Sequence, residues 1–200
     1  MTRPARTRKV HRRVPLSMAL CWLVGALLLC PNGEPQNMTT FEELSSHIVF
    51  HTQGWGEMGI NTAAHAPGMQ PMSLQIKDKK YETGLGVHAP SETWIDLEGR
   101  YLAFESEIGI QRQEQGLGSV VFQVYVDGEK RFDSAIMTGN DAPRLIHIPL
   151  NGAMELKLVV TDAGDGIICD CANWAGAKLI PNTAVSATLT QLGTDMAPSA

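Results

Sequence analysis

Helical periodicity is scarce in this chain of 200 residues. No long segment repeats its apolar residues at helical spacing, apart from a short candidate turn at Thr40 to Ser45, where Thr40 can cap and Glu43 follows. A helix-built core is therefore not expected. Catalytic signatures are missing too: there is no nucleophile elbow, no phosphate-cradling glycine loop and no His-Glu-x-x-His zinc helix. Two strands of any sandwich could supply a carboxylate pair at the ~5 to 9.5 Å used in glycoside hydrolysis. A small filled sandwich rarely offers the deep cleft such a pair needs, so the expectation is a protein that is not an enzyme.

Cysteine is sparse. Of four, Cys21 and Cys30 lie in the N-terminal hydrophobic stretch, leaving Cys169 and Cys171. Residues two apart on a strand sit near the ~7 Å upper limit for a disulfide, so free, buried thiols are expected and the fold does not rely on a disulfide framework. His47 and His51 could join them in a metal site, although the spacing is not that of a zinc ribbon. Positive charge is also scarce after the first thirty residues. That leader holds six of the sixteen basic residues and none of the twenty-one acids, leaving ten against twenty-one, a net charge of −11. Such a surface repels phosphate backbones, which excludes nucleic acid as an expected partner.

What is present begins with Arg3, Arg6, Arg8, Lys9, Arg12 and Arg13, followed by an apolar run from Val14 to Cys30. Residues 1–30 thus read as a signal peptide or a signal anchor. No small-x-small cleavage site stands at Leu28 to Pro31, so both outcomes stay open, and a membrane is a partner only if the segment is uncleaved. Export implies an extracellular or periplasmic location. Residues 38–181 form the expected domain, and residues 182–200, rich in Thr, Ser, Ala and Pro, are expected to be a flexible tail. No hydrolase domain is expected on either side.

Within the domain the dominant signal is alternation. Leu102, Phe104, Ser106, Ile108 and Ile110 alternate with Tyr101, Ala103, Glu105, Glu107 and Gly109; Phe122, Val124 and Val126 alternate with Gln123, Tyr125 and Asp127. Met154, Leu156, Leu158 and Val160 continue the pattern. These predict half-buried antiparallel strands. Asp127-Gly128 between two such runs predicts a type I′ hairpin. With further strands at 46–51, 74–77, 93–97, 130–136, 145–150 and 173–180, eight or nine short strands predict an all-β antiparallel sandwich.

Two loops stand out as candidate sites. Gly84-Leu85-Gly86-Val87-His88-Ala89-Pro90-Ser91 reads as a glycine-permitted turn ending in a rigid proline, with His88 either hydrogen-bonded to loop carbonyls or facing a ligand. Asp162, Asp165 and Asp170 cluster around Gly164 and Gly166, a density of oxygens suited to Ca²⁺ or to sugar hydroxyls, or to an ordinary solvated turn. Trp55, between Gly54 and Gly56, and Tyr81 are the aromatics best placed to stack on a sugar face.

Taken in order, Gly54-Trp55-Gly56, the Gly84 to Ser91 segment, Gly118-Ser119-Val120-Val121-Phe122-Gln123-Val124-Tyr125 with Asp127-Gly128, and Leu158 to Gly166 resemble the NPCBM family of carbohydrate-binding modules, over roughly 43–179. The resemblance implies a galactose-binding-domain-like jelly roll that holds glycans, of galacto configuration in several members, with loops at one end. It also implies calcium in a structural role, and a glycoside hydrolase as the habitual companion, here a separate one, or else an envelope protein. Carried onto this sequence, it marks His88, Asp162, Asp165, Asp170, Asn173 and Trp55 as ligand-binding candidates. The family often reads Asp-His-Ala-Asp-Trp-Ala-Asp where this chain has Asp170-Cys171-Ala172-Asn173-Trp174-Ala175-Gly176. One imidazole and two carboxylates are thus replaced, which puts sugar specificity and calcium in question. The alternative expectation is a structural or protein-interaction sandwich that has lost sugar binding.

Overall fold

The structure, a computed structural model, describes residues 41–113 and 116–183. The expected leader, the capping Thr40 and the tail from Ala184 lie outside the described residues. Among the described residues, a single short helix, α1 (Phe41–Ser46), precedes twelve strands. In chain order these are β1 (Ile48–Gln53), β2 (Gly59–Ile60), β3 (Leu74–Ile76), β4 (Lys79–Tyr81), β5 (Gly84–His88) and β6 (Ser91–Asp96). They continue with β7 (Tyr101–Ile110), β8 (Ser119–Val126), β9 (Glu129–Thr138), β10 (Arg144–Pro149), β11 (Glu155–Thr161) and β12 (Cys171–Pro181). One sheet runs β1-β6-β11-β8-β9 and the other β10-β7-β12-β5-β2, with β3-β4 as a separate hairpin. All named pairings are antiparallel. The result is the antiparallel sandwich that the alternation predicts, in keeping with the jelly roll that the resemblance implies.

Its core follows from that alternation. Val120, Phe122, Val124 and Val126 of β8 and Leu156, Leu158 and Val160 of β11 point inward from one sheet. From the other sheet Trp174 meets them fully buried, edge-on to Phe122 with ring centroids 5.0 Å apart. The expected hairpin turn is present, with φ of 48° at Asp127 and 81° at Gly128, both positive as a type I′ turn requires. The Asp127 carboxylate also accepts the Met154 and Glu155 amides, tying this hairpin to the start of β11.

Three expectations need correction. The Gly84 to His88 segment is a strand, β5, buried along its whole length. Glycine serves packing there: a Cβ at Gly86 would come within 2.5 Å of the Ala63 Cα, so only a bare backbone lets residues 62–64 lie against the strand. Strand alternation also slips at two ends. Leu102 is 43% exposed while Tyr101 is buried, because the β7–β12 register is irregular at Ile180/Pro181 and the Tyr101 hydroxyl lies 3.0 Å from His47 Nε2. Met154 precedes β11 and is exposed. Finally, Cys171 is buried but Cys169, with φ of 66°, is half-exposed, and both are free.

The topology sets where function can reside. β5 leaves one sheet at His88 and, through the cis Ala89–Pro90 bond, enters the other at Ser91. Cross-strand pairs place the neighbours at the same end: Gln53 opposite Ser91, Thr161 opposite Val121, Ser119 opposite Thr138, and Cys171 opposite His88. The described loop residues at 54–58, 89–90, 111–113, 116–118, 139–143 and 162–170 therefore crown one pole.

Candidate functional site at the loop pole

Asp170 is the buried centre of that crown. It immediately precedes β12, and its Oδ1 accepts the amide of Ser119, on the facing sheet, at 3.0 Å. Its own carbonyl accepts the Ala89 amide at 3.0 Å, so one residue stitches β12, β8 and the β5–β6 crossing together. The residue is 1% exposed, and its Oδ2 has no hydrogen-bond partner. Burial pushes its pKa up to about 6; the Ser119 amide opposes this, while the charges of Asp165 and Asp162 add to it.

Asp165 sits at the rim and is exposed. Its Oδ2 accepts the Ser119 hydroxyl at 2.5 Å, so Ser119 bridges the two aspartates. Asp165 and Asp170 line a hollow of about 410 Å³ together with Ser119, Thr138 and Asn140, with Leu117 and Ile168 supplying apolar edges. Asp162 turns inward on its own loop: its carboxylate accepts the Gly164 amide at 3.1 Å, the local turn that the sequence allowed as the plain reading.

Beside this hollow stands a second feature. Trp55, 45% exposed, leans over His88 with ring centroids 5.3 Å apart and planes inclined by 52°. His88 is buried, and its Nδ1 lies 2.8 Å from the Ala89 carbonyl, which fixes the ring with the proton on Nδ1. Gln53 holds both residues, accepting the His88 amide at 3.3 Å and donating to the Trp55 carbonyl at 2.8 Å. Asn173 stands apart from these. It is fully buried, donating to the Gln111 side chain at 2.6 Å and to the Gln75 carbonyl at 3.4 Å, and so secures the β3–β4 hairpin against β12.

All six candidates thus share one half of the molecule, but in three roles. Asp165 and Asp170 line the hollow, Trp55 and His88 form a shelf next to it, and Asp162 and Asn173 maintain local structure. Sequence reasoning did not single out Ser119, Asn140 or Gln53. Nothing in their residue types marks them; only cross-strand register brings them to the carboxylates and the imidazole.

Among the described residues no group of three or more His, Cys, Asp or Glu side chains gathers as metal ligands, so the envisaged His47, His51, Cys169 and Cys171 cluster does not form. His47 instead meets Tyr101, and His51 Nδ1 lies 2.8 Å from the Thr93 hydroxyl. For calcium the donor chemistry is partly in place: Asp170 Oδ2 is an unpaired buried oxygen of the hard type Ca²⁺ takes. Carbonyl and water oxygens would have to complete the shell.

A stability signature follows from Asp170. Its folded pKa of about 6 exceeds the ordinary 3.8, so the folded state holds the proton over a pH range where the unfolded chain has lost it. Stability from this group is full below about pH 4 and is lost as pH rises through about 6, by roughly 2 kcal/mol once solvent screening at the loop pole is allowed for. Asp170→Asn should remove that slope, making the variant more stable than the parent at neutral pH. Urea melts of both proteins in chelator at mildly acidic and neutral pH test this, and identical pH slopes would contradict it.

The geometry defines a galactose-binding-like β-sandwich with a polar, loop-built pole. Residues 41–180 match the NPCBM/NEW2 domain, and the chain belongs to that family. A CBM51 module of a Clostridium perfringens GH95 protein, solved in complex with methyl-galactose, is 32% identical with a TM-score of 0.58, over 71% of this chain and 99% of that one. The CBM51-2 and INT domains of C. perfringens ZmpB, in complex with GlcNAc, give 30% identity and a TM-score of 0.62, over 72% of this chain and 31% of that one. A Renibacterium salmoninarum protein named for endo-alpha-N-acetylgalactosaminidase activity is 31% identical over 157 residues. That match takes in 76% of this chain but only 10% of the relative's length.

Proposed function

We propose that this domain is a non-catalytic glycan-recognition module that works outside the cytoplasm, binding neutral sugar hydroxyls at the loop pole. The observation that carries the reading is the convergence of Asp165, Asp170 and Ser119 in one hollow, with the half-exposed Trp55 on the adjoining shelf. Carboxylates accept hydrogen bonds from hydroxyl pairs, and an indole offers an apolar face to the C–H side of a pyranose. The methyl-galactose and GlcNAc complexes of its structural neighbours support a hexose or N-acetylhexosamine as the ligand class. The hydrolase relative, in which the matching segment is a tenth of the length, supports a role in bringing a glycoside hydrolase to its substrate.

Shallow polar sites of this kind bind with micromolar affinity at best, about −8 kcal/mol. Calorimetry of the domain with methyl-galactoside and with N-acetylglucosamine should return saturable binding to at least one. Heat-silent titrations with both sugars, with and without Ca²⁺, would overturn the reading. We place calcium, in a structural role, at Asp170 Oδ2. Added Ca²⁺ should then raise the melting temperature of the parent and leave Asp170→Asn unmoved, whereas an equal shift in both would locate the ion elsewhere.

A further inference from the structure

The acidic hollow is one half of a longer cleft. Gly116, Leu117 and Asn140 are shared between it and a larger groove of about 960 Å³, whose other walls include Lys77, Asp78, Gln111, Arg112 and Gln113. The two halves carry opposite charge. Among the described residues, Asp165 and Asp170 are the charged ones lining the first, and Lys77 and Arg112 outnumber Asp78 in the second. In a chain whose residues beyond the leader carry a net charge of −11, two cations lining one groove run against the prevailing field.

The backbone that presents both cations is fixed by buried structure. Lys77 occupies the turn between β3 and β4 with φ of 52°, half-buried, and among the described residues no carboxylate stands within ion-pair distance of its ammonium, although its charge is felt by Asp141. The Arg112 amide donates to the Gln75 carbonyl at 2.7 Å, and the Gln111 side chain accepts both the Gln75 amide at 3.0 Å and the buried Asn173 amide. Asn173 therefore fixes the hairpin that presents Lys77 against the segment that presents Arg112. Arg112 does pair with Asp78 at 3.0 Å, but the Asp78 side chain is 94% exposed, and a pair so open to water exchanges readily for a better anion.

We propose that the groove is a second subsite, which takes a carboxylate or sulfate ester on the sugar residue next to the one bound in the acidic hollow. The preferred ligand is then an acidic oligosaccharide, oriented by the polarity of the cleft: neutral hydroxyls toward Asp165, anionic substituent toward Lys77 and Arg112. Extended polyanions are disfavoured, because the net negative charge of the rest of the domain repels them and screening confines the groove's attraction to about 10 Å. The inference rests on the loop pole being a glycan site, and its test separates the two.

The probes are lactose, sialyllactose and lactose sulfate, titrated into the domain by calorimetry at low salt and at about 0.5 M salt. One or both acidic sugars should bind about tenfold more tightly than lactose at low salt, with the advantage vanishing at high salt. Which of the two gains identifies the anion. The double variant Lys77→Gln/Arg112→Gln should lose the advantage while binding lactose as the parent does. Equal affinity for all three sugars, or an advantage that survives in the variant, overturns the second subsite and leaves the first intact. Binding of none of the three overturns the second subsite, and the proposed function falls with it when N-acetylglucosamine is silent too.

Discussion

Trp174→Ala is expected to remove most of the domain's stability. The indole is fully buried where the two sheets meet, 5.0 Å edge-on from Phe122 and 6.3 Å from Phe104, with β5 and β7 pairing on either side of its strand. Loss of so large a core side chain costs about 3–5 kcal/mol through lost burial and the cavity left behind. A domain of this kind holds roughly 5–15 kcal/mol in all. Since Asp170 is four residues upstream on the same chain segment, the loop pole should loosen with the core. Urea unfolding followed by tryptophan fluorescence, with circular dichroism to avoid the missing chromophore, would show the midpoint fall; an unchanged midpoint would mean that Trp174 is not the keystone of the sandwich.

Asp165→Ala and Trp55→Ala should each weaken glycan binding strongly while leaving the fold intact. Asp165 is exposed and its described side-chain partner is the Ser119 hydroxyl, which water can satisfy when the carboxylate is gone. A carboxylate–hydroxyl hydrogen bond contributes about 1.5–3 kcal/mol, so the loss should be between about tenfold and a hundredfold. Trp55 contributes by stacking; its truncation should cost about tenfold and leave the His88 ring anchored through Ala89. Matching melting temperatures for parent and variants are part of the expectation. Unaltered affinity in both variants would move the sugar away from this pole.

Much of this architecture was legible in the sequence because half-buried strands write themselves as alternation. β8, β11 and the Asp127-Gly128 hairpin follow directly from that pattern. β5 was not legible. A strand packed on both faces loses its alternation, and glycines needed for close approach look the same as glycines needed for turns. The family resemblance found the candidate residues but could not sort them. Asp162 and Asp165 lie in one loop and are chemically identical, yet one caps its own turn and the other faces the hollow. Asn173, carried over as a contact residue, proves to be a buried tether, and its replacement of the family's aspartate suits that setting, since an amide can donate to Gln111 and Gln75 where a carboxylate could not. Lys77 and Arg112 belong to separate segments, and only the folded hairpin makes them neighbours.

The most direct measurement is a nuclear magnetic resonance titration of the isotopically labelled domain with methyl-galactoside or N-acetylglucosamine. Binding as described would shift the amides of Gly54 to Gly56, His88, Gly118, Ser119 and Asp165, together with the Trp55 indole, and leave the opposite end at Gly99, Gly128 and Gly152 still. Shifts clustered at that opposite end, or none anywhere at saturating sugar, would contradict it.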